Sequence, residues 1–381
     1  MVLVIDQTPS PLMIDILNSI VNSGSQVSIY CGEIKSGRDK LHPSVNIIQG
    51  KIYQRKTMIL RLYTWLVFSI QYFFYLAFCK KPSVILVITN PPFTTLITSF
   101  IASKRKIPFS LLIYDLYPEA LLHAELGKGD SLVIRIWKKL NTRYFKRADR
   151  IFTISNTMKT GVSKYAPADK IQVIHNWADT DYIKPIIKEM NPFLKRLGLQ
   201  NKQIVLYAGN CGLTHDLESL IDAADLLKDN DTIFFLVVGE GAKKQKLENM
   251  AKRLKLSNIL FFPYQNETEF PLVMASADIG IITLGIAAET ISVPSKTYSN
   301  LAAGACLVAV AHHDSELAEI IANYEVGVLC PPLQPRQLAD IITRVLSNET
   351  LLNRYKSNSL KAVKDFTPAN ADEYAKYLKN F

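Results

Sequence analysis

At 381 residues the chain is long enough for two domains, each with its own core. A hydrophobic content of 48% beside 20% charged residues excludes a disordered chain. The net charge is uneven: residues 1–178 carry 23 Lys and Arg against 10 Asp and Glu, and residues 179–381 carry 21 against 24, so balances of +13 and −3 give the overall +10.

A basic first half suits an anionic partner. It carries no zinc-finger or RNP motif, which argues against nucleic acid and for a membrane surface. Cys31, Cys79, Cys211, Cys306 and Cys330 form no CxxC pair, so they read as reduced core thiols of a cytosolic protein without a zinc site.

In chain order, apolar runs alternate with amphipathic stretches. The runs are 2–6, 27–31, 84–89, 109–115, 150–155 and 171–176, then 204–209, 233–239, 259–264, 279–284 and 306–311. Continuous apolar runs separated by helices predict parallel strands buried on both faces. Two successive sets predict two doubly wound α/β domains. The polar stretch 179–203, with Pro185 and Pro192, predicts a linker and hinge between a domain over 1–178 and one over 204–365.

The stretch "ILRLYTWLVFSIQYFFYLAFC" (59–79) is apolar at all but four of twenty-one positions. Its length would span a bilayer. Arg61, Thr64, Ser69 and Gln71 nevertheless share one arc of roughly 160° at helical spacing. That predicts a helix lying on the sheet with part of its apolar face turned to lipid. In 131–147, Arg135, Lys138, Lys139, Arg143, Lys146 and Arg147 share one half of the helical wheel; Val133, Trp137, Leu140 and Tyr144 share the other. A basic face with interfacial aromatics suits anionic headgroups.

No G-x-G-x-x-G follows any strand, which weakens a dinucleotide-dependent dehydrogenase. Gly209-Asn210-Cys211-Gly212 and Gly239-Glu240-Gly241 stand instead at strand ends before helices. Glycines there let backbone N–H groups approach a phosphate. Pro294, Ser295 and Lys296 open a helix that ends at Gly304. The macrodipole disfavours a cation at a helix start unless an anion sits between them. Tyr264 after another strand end could stack on a base. In the first half, Asn90, Asp115 and Glu119 follow strands, with His123 one turn on, and suit ligand binding or proton handling.

At these residues the sequence resembles a family 4 glycosyltransferase of the GT-B fold. The resemblance rests on "YDLYPEAL" (114–121), "VIHNWAD" (173–179), "GNCGLTHDLESLIDAA" (209–224), "VVGEGAKKQKLE" (237–248) and "VPSKTYSNLAAG" (293–304). It implies two Rossmann-like domains facing across a cleft, and a last helix in 366–381 crossing back to the N-terminal domain. It also implies a retaining enzyme that needs no metal or cofactor and moves a sugar from a nucleotide-diphosphate donor, expected to be a UDP-sugar. The acceptor would be a polyprenyl-diphosphate-linked glycan of a bacterial O-antigen, capsule or exopolysaccharide, at the inner face of the plasma membrane.

By that resemblance the donor side comprises Gly209, Asn210, Gly212, Gly239, Gly241, Tyr264, Glu289, Ser295, Lys296 and Ser299. The acceptor side comprises Asn90, Asp115, Glu119 and His123, with Lys296, Asp115 and Glu119 as the catalytic candidates. The sequence departs from the family pattern in three places. Many members carry two glutamates eight positions apart, the second five before the helix-ending glycine; here Ile291 and Ser299 stand there, with Glu289 two positions from the first slot. The usual Arg and Lys of the first βα loop correspond to Asn210 and His215, and the N-terminal loop "DQTPSPLMIDIL" lacks the usual glycines. Two other readings stay open: a non-catalytic sugar-binding scaffold and a nucleotide-sugar epimerase.

Overall fold

The computed structural model describes residues 1–34, 40–54, 56–119, 131–213, 215–284 and 294–381. They form two compact units: Met1–Asn176 with Pro368–Phe381, and Trp177–Thr367.

The first unit holds a seven-stranded sheet in the order β3-β2-β1-β4-β5-β6-β7, with every neighbouring pair parallel. Its strands are β1 (Val2–Ile5), β2 (Val27–Cys31), β3 (Asn46–Gln49), β4 (Val84–Ile88), β5 (Phe109–Ile113), β6 (Arg150–Thr153) and β7 (Ile171–Val173). The central three, β1, β4 and β5, are buried at every position, as a sheet covered by helices on both faces requires. Edge strand β3 is exposed at both ends, which is why no apolar run announced it.

Helix α1 (Pro11–Asn22) is capped by the Ser10 hydroxyl and packs against the last helix, Ala371–Leu378. The Ser19 hydroxyl donates to Asp372 at 2.5 Å, and Tyr374 lies fully buried against Phe152 with ring centroids 5.0 Å apart.

Helix α2 (Met58–Phe78) starts at the Thr57 cap and buries Thr64, Phe68, Ser69, Tyr72 and Leu76. Two of the four polar positions, Thr64 and Ser69, therefore face inward, and the Thr64 hydroxyl bonds back to Leu60 O; beside them the Tyr72 and Thr98 hydroxyls hydrogen-bond each other at 2.8 Å. Leu62, Leu66, Ile70, Phe74 and Phe78 form an exposed stripe at i, i+4 spacing. Helix α3 (Phe93–Arg105) lies beside α2, and the Arg105 guanidinium ties their C-terminal ends by donating to Leu76 O and Cys79 O.

Helix α4 (Leu132–Arg147) corrects the expected face. It buries Ile134, Asn141, Tyr144 and Phe145, while Val133 and Leu140 turn outward beside Leu132 and Ile136. Asn141 wins a core position because its amide donates to Tyr117 O and its carbonyl accepts from Tyr144 OH.

The second unit holds a six-stranded parallel sheet, in the order β10-β9-β8-β11-β12-β13. The strands are β8 (Gln203–Ala208), β9 (Ile233–Val238), β10 (Ile259–Phe262), β11 (Ile279–Thr283), β12 (Cys306–Val310) and β13 (Gly327–Cys330). Residues 179–203 pack into this unit. Lys188 pairs with Asp278, the Asn191 amide donates to Leu272 O, and Phe193 and Leu194 are buried. In each sheet the strand order reverses once, between β1 and β4 and between β8 and β11, and such switch points are where open α/β sheets bind ligands.

Replacing Tyr374 by Ala removes a fully buried ring that joins the last helix to the first sheet. The first unit should lose about 3–5 kcal/mol in denaturant unfolding. An unchanged midpoint would mean that the last helix does not support the sheet.

Candidate active site

At the switch point of the second sheet, β8 runs into Gly209–Gly212 and β9 into Gly239–Gly241. The two turns lie against each other: Gly209 N donates to Val238 O at 2.8 Å and Cys211 N to Glu240 O at 2.8 Å. A Cβ on Gly239 would stand 1.8 Å from Gly209 O, and one on Gly241 would stand 2.5 Å from the Cys211 carbonyl. Both glycines also take positive φ, near 150°, so no side chain fits either position.

Lys296 begins the helix Lys296–Ala303 and reaches back over this loop. Its Nζ donates to Tyr207 OH at 2.8 Å and lies 4.0 Å from the Tyr207 ring centroid. A Cβ on Gly209 would stand 3.3 Å from the same nitrogen. Tyr207 in turn donates to Asn210 O at 2.7 Å, so one buried phenol holds both the loop and the ammonium. Burial pulls the Lys296 ammonium down to about 7, against the raising effect of the Cys211 thiol.

His215 closes the other side. Its Nδ1 lies 2.8 Å from Thr283 O and 3.1 Å from Thr283 Oγ1, at the end of β11. Burial, aided by the Lys296 and Lys243 charges, pushes the imidazole down to about 4 despite the Thr283 bond. His215 is thus a neutral donor to a backbone carbonyl and does not replace the missing cation. Lys243 braces the loop through His215 O at 2.7 Å and Glu218 at 2.8 Å. Against partial burial, Lys243 and Lys246 hold the Glu218 carboxyl down to about 2.

The structure therefore gathers Gly209, Asn210, Gly212, Gly239, Gly241 and Lys296, and it adds Tyr207 and Thr283, which sequence reasoning missed. Ser295 precedes Lys296 without a side-chain cap bond, Ser299 follows one turn on, half-buried, and Tyr264 is exposed beyond β10. Glu289 and His123 lie outside the described residues.

At the switch point of the first sheet, Asp6 follows β1, Thr89 and Asn90 follow β4, and Asp115 follows β5. Asp6 was not among the expected residues. Its Oδ1 accepts from Thr8 N at 3.0 Å, and burial pushes its carboxyl up to about 7 against that bond. Asp115 donates its N–H to Thr89 Oγ1 at 3.5 Å, and burial raises its carboxyl above the usual range. Asn90 Oδ1 is buried without a partner. Glu119 faces inward: one oxygen accepts from Tyr165 OH and the other is buried and unpartnered. Among the described residues, His312, His313 and Asp314 bring metal-ligating atoms together, but as an exposed turn after β12.

Two doubly wound parallel sheets, one with glycine turns and a buried lysine at its switch point, define the GT-B class of fold. Residues 12–182 match the model of Glycosyltransferase Family 4, and residues 192–362 match that of Glycosyl transferases group 1. The chain belongs to these glycosyltransferases.

It is 28% identical over 272 residues to the probable glycosyltransferase WbjE of Pseudomonas aeruginosa, covering 70% of this chain and 66% of that one. It is 28% identical over 241 residues to the putative colanic acid biosynthesis glycosyl transferase WcaI of Escherichia coli K12, covering 62% and 58%. The match thus spans under two-thirds of either curated relative. The fold is that of Anabaena HepE, solved in complex with UDP and glucose, with a TM-score of 0.74 at 16% identity over 100% of this chain and 99% of that one.

The lysine's titration is directly measurable. In ligand-free protein labelled at lysine, the Lys296 signal should titrate near 7, while His215 stays neutral down to pH 5. Because the unfolded lysine holds its proton up to about 10.4, the folded state gains stability as pH rises from about 7 towards that value. A Lys296 signal that titrates above 10 would overturn the buried geometry.

Proposed function

We propose that this chain is a retaining glycosyltransferase. It moves a sugar from a nucleotide-diphosphate donor, a UDP-sugar, to a lipid-linked glycan in bacterial surface-polysaccharide synthesis. The observation that carries this reading is Lys296, a buried ammonium poised over a glycine turn at a switch point, with no carboxylate of the described residues against it. Breaking the sugar–diphosphate bond puts charge on the departing phosphate, and preorganised donors aimed there supply the largest catalytic effect. Lys296, the backbone N–H groups of Ser295 and Lys296, and the Gly209–Gly212 turn fill that role. UDP held by a protein of the same fold, and the colanic acid label of a relative, support the donor class and the pathway type.

The acceptor hydroxyl attacks the face that the diphosphate leaves. The C1–phosphate oxygen bond breaks, the new glycosidic bond forms, and the hydroxyl proton passes to the leaving phosphate. No protein base and no metal are then required. Asp6, Asn90 and Asp115 bind the acceptor hydroxyls, Ser299 bonds the ribose, and Tyr264 packs on the base.

The exposed apolar stripe of α2, together with Leu132, Val133, Ile136 and Leu140 of α4 flanked by Arg135, Lys139 and Arg143, supports peripheral binding to an anionic membrane on the cytoplasmic side.

Lys296→Met separates function from stability. Transfer from a sub-saturating donor should fall about 10- to 150-fold, the loss of one charge-assisted contact of about 1.5–3 kcal/mol. The ligand-free variant should unfold at a higher temperature, since a desolvated charge is gone. Unchanged turnover would remove Lys296 from the site. Binding of donor without transfer to any polyprenyl-diphosphate acceptor would favour a scaffold.

At pH 8, calorimetry in buffers of different ionisation heat should record proton uptake on UDP binding. The incoming diphosphate draws the Lys296 amine back to its charged form, so affinity should weaken as pH rises above about 7. Binding with no proton exchange would contradict an ammonium–phosphate contact.

A further inference from the structure

Between α2 and α3 lies an apolar groove of about 460 Å³, within the range of small-molecule sites. Leu66, Ile70, Phe73 and Phe74 of α2 face Phe93 and Ile97 of α3 across it. One end leads to the carboxylate rim of the first sheet. Phe93 follows Asn90 by three residues and stacks on Trp137 with centroids 6.4 Å apart and planes at 19°. Trp137 stacks on Tyr117 at 6.0 Å and 14°, and Tyr117 is two residues beyond Asp115. Cations stand at the same end. Arg61, one turn before Trp65, donates from Nε to Tyr53 OH at 2.9 Å and lies 5.8 Å from the Trp65 ring. Its charge reaches the Tyr117 phenol, and Lys51 sits 5.7 Å from the Tyr63 ring.

An apolar channel with cations at the mouth nearest the acceptor carboxylates matches one chemistry: a hydrocarbon chain that ends in a diphosphate. A bilayer surface alone needs no groove between two helices. A peptide helix would leave Arg61 and Lys51 without counter-charges at the rim.

We propose that the α2–α3 groove seats the first isoprene units of the acceptor's polyprenyl chain, with Arg61 holding its diphosphate beside Tyr117. This rests on the lipid-linked acceptor named above and deepens it: the first unit reads the lipid as well as the sugar. The proximal chain leaves the membrane along α2, and the glycan is then presented at Asp115.

Calorimetry on the full chain tests this without vesicles and with UDP saturating, so that the donor site does not compete. The probes are pyrophosphate, isopentenyl diphosphate and farnesyl diphosphate, the last below its micellar concentration. Farnesyl diphosphate should bind at least about tenfold tighter than isopentenyl diphosphate, because ten more carbons are buried. Ile70→Trp, which fills the groove, should erase that advantage and leave isopentenyl diphosphate binding as it was. Arg61→Gln should weaken both by a similar factor. A photoreactive farnesyl analogue should label peptides of α2 and α3, a readout that does not depend on how the variants fold. Affinity independent of chain length, an advantage that survives Ile70→Trp, or labelling elsewhere overturns the proposal. Sugar transfer is not measured, so an inactive enzyme would sink the transferase reading without deciding this one.

Discussion

A buried ammonium with no anion beside it among the described residues is the constraint on which the second unit is built. Taking the Lys296 charge out of water costs several kcal/mol, and a phenol with its ring face returns only part of that. The surroundings are arranged around this imbalance. Tyr207 fixes the amine, and its proton is used on Asn210 O, so it presents only a lone pair to Lys296. His215 is kept neutral at Thr283, which prevents a second positive charge from facing the first. Lys243, close to the same loop, is neutralised by Glu218. Among the described residues, the result is one cation with no carboxylate partner, aimed at one glycine turn.

The first unit uses the opposite arrangement. Asp6 and Asp115 are carboxyls raised by burial at the ends of β1 and β5, on either side of β4, whose own end carries an Asn90 oxygen without a partner among the described residues. Acidic and amide groups of this kind accept hydrogen bonds from hydroxyls. The two sheets share one topology yet carry opposite chemistry at their switch points, because the residues just beyond β1, β4 and β5 differ from those beyond β8 and β9.

How much of this was legible in the sequence follows from the physics of each signal. Strands with continuous apolar runs can be read directly, so eleven were legible, the partly exposed edges β7 and β10 among them. The edge strands β3 and β13 were not, since their apolar cores are short, Ile47-Ile48 and Val328–Cys330. Glycines at 209, 239 and 241 and the lysine at a helix start were visible because each breaks a local rule. Tyr207 was invisible: a tyrosine in a strand looks like core, and only the strand order brings it under Lys296. Asp6 escaped for the same reason, since its neighbours at 89–90 and 115 are distant in sequence. In α4 hydrophobicity alone points to the wrong face, because the buried centre is Asn141, a polar residue held there by two hydrogen bonds.

The first unit is assembled from both ends of the chain, with residues 177–367 inserted between its parts. During synthesis at roughly 5–20 residues per second, its sheet would emerge well before the helix that covers α1. For about 10–40 s, the time needed to make the second unit at those rates, the face around Ser19 and Phe152 stands open. The second unit, contiguous in the chain, can meanwhile complete its own core. The unit begun first is therefore the one completed last. A chain cut short before Ala371 would carry a complete second unit attached to a first unit whose α1 lacks its covering helix.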